Sequence, residues 1–188
     1  MQRTPPQHVE TERLIPRKLR ASDAPSMLEE YAGDPRVTRF LIAPTQTSLA
    51  DAERFIAARL AERDASARWT YTITERNADE RAVGRIALKT TQEGVSIGYA
   101  LAYRLHGRGL ATEALEAAYP LAHAMNTTVF ARVDPENTAS IRVLEKCGFC
   151  WSELRRRSIV LPNIGPEARD CAIYIRQTQA RDIASPRP

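Results

Sequence analysis

Two short stretches of this chain carry residue types that could do chemistry on an anionic ligand. The first is Ile97-Gly98-Tyr99-Ala100-Leu101-Ala102-Tyr103-Arg104-Leu105-His106-Gly107-Arg108-Gly109-Leu110-Ala111-Thr112. It reads as a strand end, a glycine-bearing turn and a helix start. The first N–H groups of such a helix have no partner within it, and the positive end of the dipole lies behind them. That is an anion site suited to a pyrophosphate. Gly107 and Gly109 let the backbone approach a ligand closely, and Arg108 adds a charge that can pair with phosphate. A purely structural turn would use the same glycines, so this segment alone leaves both readings open.

The second stretch is Val133-Asp134-Pro135-Glu136-Asn137-Thr138-Ala139-Ser140-Ile141-Arg142-Val143-Leu144-Glu145-Lys146-Cys147-Gly148-Phe149. Asn137 stands at a helix N-cap position and Ser140 in the first turn, where both could serve structure alone. In the functional reading, Asn137 bonds an amide-bearing ligand arm lying along the preceding strand. The stretch ends in C-x-x-C, but Cys147 falls at the C-terminus of its helix, where the dipole disfavours a thiolate. His8, His106 and His123 show no ligand spacing, so no metal site is expected.

The elements that must hold these residues follow from periodicity. Leu14 to Leu19 is a short strand, with Pro16 tolerable only at an edge or bulge. Ala21 to Tyr31 reads as a helix, opened by a Ser22 or Asp23 cap with Pro25 in its first turn. Ser48 caps a second helix through Arg63, with Ala52, Phe55, Ile56 and Leu60 at helical spacing. Trp69 to Thr74 alternates as a strand, Asn77-Ala78-Asp79-Glu80 is a turn, and Ala82 to Thr90 and Val95 to Leu101 complete an antiparallel meander. Gly109 to Ala124 is helical, with Pro120 expected to kink or shorten it. Thr127 to Val133 is a strand, Thr138 to Cys147 a helix with Gly148 as its left-handed cap. Phe149 to Ile159 and Asp170 to Arg176 are strands joined by the Pro162 to Pro166 loop. Meanders interrupted by helices mean α+β. The expected architecture is a mixed, mostly antiparallel sheet of six to seven strands flanked by about four helices.

The whole chain is read as one domain, 1–188, with a core of about 9–177. Met1 to Val9 and Ser185 to Pro188 read as loose tails. Hydrophobic residues make up 43% and charged residues 27% of the 188, as in ordinary globular chains. No stretch reaches the roughly 20 apolar residues of a membrane span. The N-terminus has no apolar h-region, so a cytoplasmic location is expected. Three cysteines, an odd count, do not suggest a disulfide framework. The net charge of +4 permits binding to polyanions. The arginines, however, are spread along the chain, and the one cluster, Arg155-Arg156-Arg157, reads as a solvated edge. Without aromatic interleaving or a helix-turn-helix pattern, nucleic acid is not the expected partner.

The motifs together resemble the GCN5-related N-acetyltransferase (GNAT) superfamily, and within it the RimJ/RimL-type ribosomal-protein N-terminal acetyltransferases. Three stretches carry the resemblance: Thr11-Glu12-Arg13-Leu14, Gly107-Arg108-Gly109-Leu110-Ala111-Thr112-Glu113-Ala114, and Asn137 through Phe149. In order and spacing they cover about Val9 to about Arg176. The resemblance implies acetyl transfer from acetyl-coenzyme A, without a metal, to a protein N-terminal amine or a small amine. The superfamily's Gln/Arg-x-x-Gly-x-Gly/Ala signature falls on His106, Gly109 and Ala111, with His106 departing from it. The backbone of Arg108, Gly109, Leu110, Ala111 and Thr112 would cradle the pyrophosphate. Leu101 would offer its backbone to the pantetheine arm and thioester, in a gap between strands ending at Leu101 and Val133. Many members use a Tyr seven residues after the position of Asn137; here Leu144 stands there. A Ser at the position of Ser140 is then the group implied to assist the thiolate. Homodimers are common in the family. The missing Tyr and the substituted His106 keep open a catalytically silent acyl-coenzyme A sensor on the same fold. The acceptor mouth would lie between the Gly33 to Thr47 connection and the Arg155 to Arg169 loop.

Overall fold

The computed structural model describes residues 10–65, 68–76, 80–126 and 128–177. The tails, Asn77 to Asp79 of the expected turn, and Thr127 lie outside the described residues. Seven strands form one sheet: β1 (Leu14–Lys18), β2 (Arg68–Glu75), β3 (Gly84–Thr91), β4 (Gly94–Leu101), β5 (Thr128–Val133), β6 (Cys150–Val160) and β7 (Ala168–Gln177), in spatial order β1-β2-β3-β4-β5-β7-β6. Five helices accompany them: α1 (Ala24–Met27), α2 (Pro35–Thr38), α3 (Leu49–Asp64), α4 (Leu110–Met125) and α5 (Thr138–Lys146). None is long and apolar enough to cross a membrane.

Every strand pairing is antiparallel except β4 with β5. Those two pair only at Val95 with Val129 and Ser96 with Phe130, then part. Gly94 sets the pinch point. A Cβ there would lie 2.4 Å from the Thr128 carbonyl oxygen, so only glycine lets the strands meet at this depth. β1 is an edge strand, which is where Pro16, lacking an N–H, can sit.

Side chains alternate across the sheet. Tyr99 faces α5, while Arg85, the cross-strand partner of the next residue Ala100, faces α3. The α4–α5 side holds the large apolar core, including Ile86, Leu88, Val95, Leu115 and Phe149. The α3 side is more polar. There Arg17, 7% exposed, pairs with Asp23, 3% exposed.

Ser48 caps α3 as expected, accepting from the Asp51 N–H while Asp51 bonds back to the Ser48 N–H. The expected helix over Ala21 to Tyr31 is instead a composite of a 3-10 turn (Ala21–Asp23), α1 and a π turn (Leu28–Ala32). Neither Ser22 nor Asp23 caps α1, because the Asp23 carboxylate turns inward to Arg17 and Thr72. Pro120 does not shorten α4, which runs on to Met125. Pro120 withdraws the bond to the Glu116 carbonyl, and both residues lie on the exposed side, where water reaches that carbonyl.

Candidate functional site

The site begins where β4 leaves β5. The Ala102 N–H bonds to the Val83 carbonyl on the β3 side. By strand alternation, the backbone groups of Tyr99 and Leu101 point the other way, into the gap beside β5. β4 therefore presents an unpaired edge in the middle of the sheet. His106 turns back onto this edge, its Nε2 3.0 Å from the Leu101 carbonyl. The residue that breaks the signature thus fastens the turn to the strand end.

Beyond His106, Gly107 and Gly109 adopt φ of +74° and +76°, which admits glycine readily and other residues at a cost. Gly109 is the N-cap of α4, and no side chain caps this helix end. The first intrahelical bond runs from the Glu113 N–H to the Gly109 carbonyl. The N–H groups of Leu110, Ala111 and Thr112 therefore open outward from an exposed turn.

The Thr11-Glu12-Arg13-Leu14 stretch explains itself here. The Arg13 guanidinium donates to Glu113 Oε2 (2.6 Å) and to the Arg108 carbonyl (3.0 Å), and the Arg13 N–H donates to Glu113 Oε1 (2.8 Å). The Thr11 hydroxyl donates to the same Oε1. Burial by itself would raise the Glu113 pKa, but the Thr11 and Arg13 bonds outweigh it and hold the carboxyl below its usual range. The carboxylate in the first turn of α4 is thus an anchor that fixes the glycine turn against β1.

The second stretch closes the gap from the β5 side. Asp134, 3% exposed, accepts from the Glu136 N–H (2.8 Å) and from Arg169 Nε (2.6 Å), stiffening the turn into α5. Asn137 caps α5, accepting from the Ser140 N–H at 3.1 Å, so the structural role is real and its amide NH2 remains. Ser140 Oγ lies 2.9 Å from the Tyr99 hydroxyl, reaching across from β4. Burial raises the Tyr99 pKa to about 12 against the lowering effect of the Ser140 bond, so the phenol is protonated at neutral pH. Sequence reasoning missed Tyr99; only strand alternation combined with the β4–α5 approach could have found it. Leu144 is buried and brings no proton donor.

Cys147 sits at the C-cap of α5, buried, and burial first of all pushes its thiol up to about 12. All three cysteines are free. This thiol packs against α4, 3.7 Å from the Thr112 carbonyl, and is unsuited to redox work.

The expected acceptor mouth is stitched by one side chain. Asn163, from the β6–β7 loop, accepts from the Thr45 N–H (2.7 Å) and hydroxyl (3.0 Å). Its amide nitrogen donates to the carbonyls of Thr38 (2.7 Å), Ala43 (2.9 Å) and Leu41 (3.3 Å). Asn163→Ala is expected to cost about 1–3 kcal/mol of stability, because part-buried groups of the α2–α3 connection lose their bonds; urea unfolding of the two proteins measures it. The arginines of this mouth are largely neutralised. Arg36 pairs with Asp34, Arg155 with Glu93 and Glu153, and Arg156 with Asp170.

A family model described as an acetyltransferase (GNAT) domain matches residues 13–150. An uncharacterized N-acetyltransferase p20 of Bacillus licheniformis is 29% identical over 143 residues, covering 74% of this chain and 80% of the relative. Among solved structures, Mycobacterium smegmatis RimJ in complex with CoA-disulfide superposes with a TM-score of 0.77 at 21% identity, covering 92% of this chain and 84% of that one. The ribosomal L7/L12 α-N-protein acetyltransferase RimL, in complex with coenzyme A, gives 0.78 at 16% identity, covering 90% and 97%.

Proposed function

The chain belongs to the acetyltransferase (GNAT) family and is an N-acetyltransferase, and on that premise we propose that it moves the acetyl group of acetyl-coenzyme A directly to a primary amine in a ternary complex. The acceptor is a protein N-terminal α-amine or a small amine. One observation carries this reading: the unpaired β4 edge runs straight into an uncapped helix N-terminus, with a hydroxyl pair across the gap.

In this reading the N–H groups from Arg108 to Thr112 hold the pyrophosphate, with Gly107 and Gly109 allowing its approach. The pantetheine arm fills the β4 edge as an added strand would. The Leu101 N–H meets the thioester carbonyl as it gains negative charge. The Asn137 amide NH2 bonds an amide of the arm. His106 acts by keeping Leu101 and the turn in register.

Acyl transfer leaves a thiolate that needs a proton or a hydrogen bond. Either hydroxyl of the pair can donate, and the Tyr99 hydroxyl also lies 3.3 Å from the Ser140 carbonyl; with the protonated Tyr99 donating to Ser140 Oγ, the Ser140 proton is free for the sulfur. This pair stands in for the tyrosine that Leu144 replaces, and it favours a working enzyme over a silent sensor. Release of free thiol from acetyl-coenzyme A, over a panel of peptide and small-amine acceptors, tests the reading. Absence of tight coenzyme binding by calorimetry would overturn it.

The anchor beneath the turn makes a separate prediction. Arg13→Ala should weaken coenzyme A binding about tenfold, the loss of roughly one charge-assisted contact, with little change in kcat. Calorimetric titration of wild type and variant checks it. Equal affinities would show that the glycine turn holds its shape unaided.

A further inference from the structure

We propose that the outer edge of β6 is a docking surface for a second copy of this chain, the two β6 strands lying antiparallel across a two-fold axis. The two edges of the sheet are unlike. β1 spans five residues and carries Pro16, which blunts it as a template for another strand. β6 spans eleven residues, Cys150–Val160, without proline or glycine. It has β7 on one side and no strand on the other among the described residues. An edge of that length presents a row of backbone donors and acceptors that a second strand can satisfy.

The same strand carries large apolar side chains in the open. Trp151 is 61% exposed, Val160 48% and Leu154 36%. They stand opposite Tyr174, Ala168 and Ala172 of β7 respectively. Burial first, and then the Glu145 carboxylate of α5, raise the Tyr174 pKa, which places this row of β7 on the α5 face of the sheet. Strict alternation would send Trp151 and Leu154 to opposite faces. The irregularity in β6 between Trp151 and Glu153 returns them to one. The product is an apolar stripe along the outermost strand, beyond α5. A second copy covers it with the same stripe.

The arginine run does not repel that copy. Arg155 is held by Glu93 and Glu153, and Arg156 by Asp170. Both Arg155 contacts to Glu153 go to Oε1, which leaves Oε2 open. Arg157 forms no ion pair among the described residues. Glu153 precedes Arg157 along the strand, so an antiparallel copy brings the acid of each protomer to the free base of the other. That order is self-complementary, as a two-fold interface requires. A polyanion would need these guanidiniums free, and two of the three are taken.

Sedimentation of the full chain between about 1 and about 200 μM tests the proposal, and a dimer that half-dissociates on the order of 10 μM is expected, at the weak end of specific interfaces. Trp151→Ser with Leu154→Ser should weaken the dimer at least about 100-fold, because a buried tryptophan is a common anchor of interfaces. Unchanged coenzyme A affinity by calorimetry shows that this variant is folded. Glu153→Lys and Arg157→Glu should each weaken the dimer about tenfold, and the two together should restore it, since the exchanged charges meet again. A monomer at every concentration overturns the proposal. So does a dimer that survives the loss of Trp151 and Leu154, because the contact then lies elsewhere. Losses that simply add in the charge exchange overturn the antiparallel arrangement, and this measurement decides alone if the Trp151 variant fails to fold.

Discussion

Ser140→Ala is expected to lower kcat about 100-fold, near the lower end for loss of a single proton-transfer group, while coenzyme A affinity stays as it was. The substitution removes the hydroxyl 2.9 Å from Tyr99 and nothing else of consequence. The Asn137 cap survives, because that bond is made to the Ser140 backbone N–H. Leu144, one turn further along α5, supplies no proton donor in its place. Tyr99→Phe should show the same direction with a smaller loss, as it leaves the Ser140 proton in place. Thiol release at saturating acetyl-coenzyme A gives kcat, and calorimetry gives affinity. An unchanged kcat in Ser140→Ala would remove Ser140 from the mechanism.

Asp23→Ala should destabilise the fold by about 3–5 kcal/mol, the cost of leaving one member of a buried ion pair alone. Asp23 accepts from Arg17 at 2.7 and 3.0 Å, from the Thr72 hydroxyl at 2.7 Å and from the Arg20 N–H at 2.9 Å. Without it the Arg17 charge, whose Nε already has no partner, stays buried and unpaired. The double replacement Arg17→Met with Asp23→Leu should cost far less, because it removes both charges together. The pair also carries a pH dependence. Burial acts to raise the Asp23 pKa, but the Arg17, Arg20 and Thr72 bonds outweigh it and hold it below the ordinary 3.8. A carboxyl depressed in the folded state stabilises at any pH above its unfolded value, and that contribution fades as pH falls through the folded value. Wild-type stability should therefore drop below about pH 4, and Asp23→Asn should flatten that drop. Urea midpoints measured from pH 7 downward give both results.

Local signals carried much of the architecture. Pro16 demanded an edge strand and Ser48 a helix start, and both stand where their chemistry requires. The glycine turn and the α5 cap were equally readable, since each is a contiguous stretch. Elements of four or five residues, such as α2 and the π turn, are too short to leave a periodic trace. The functional pairings were hidden for another reason. Tyr99 meets Ser140 across 41 residues and Arg13 meets Glu113 across 100, so neither contact has any spacing to read.

The Asn163 stitch constrains how such a protein can diversify. A residue inserted into either the α2–α3 connection or the β6–β7 hairpin would pull this amide away from Thr38, Thr45 or Ala43. The two loops therefore behave as one heritable part. New acceptor preferences arise most readily by exchanging side chains around a lip of fixed length, or by replacing both loops at once.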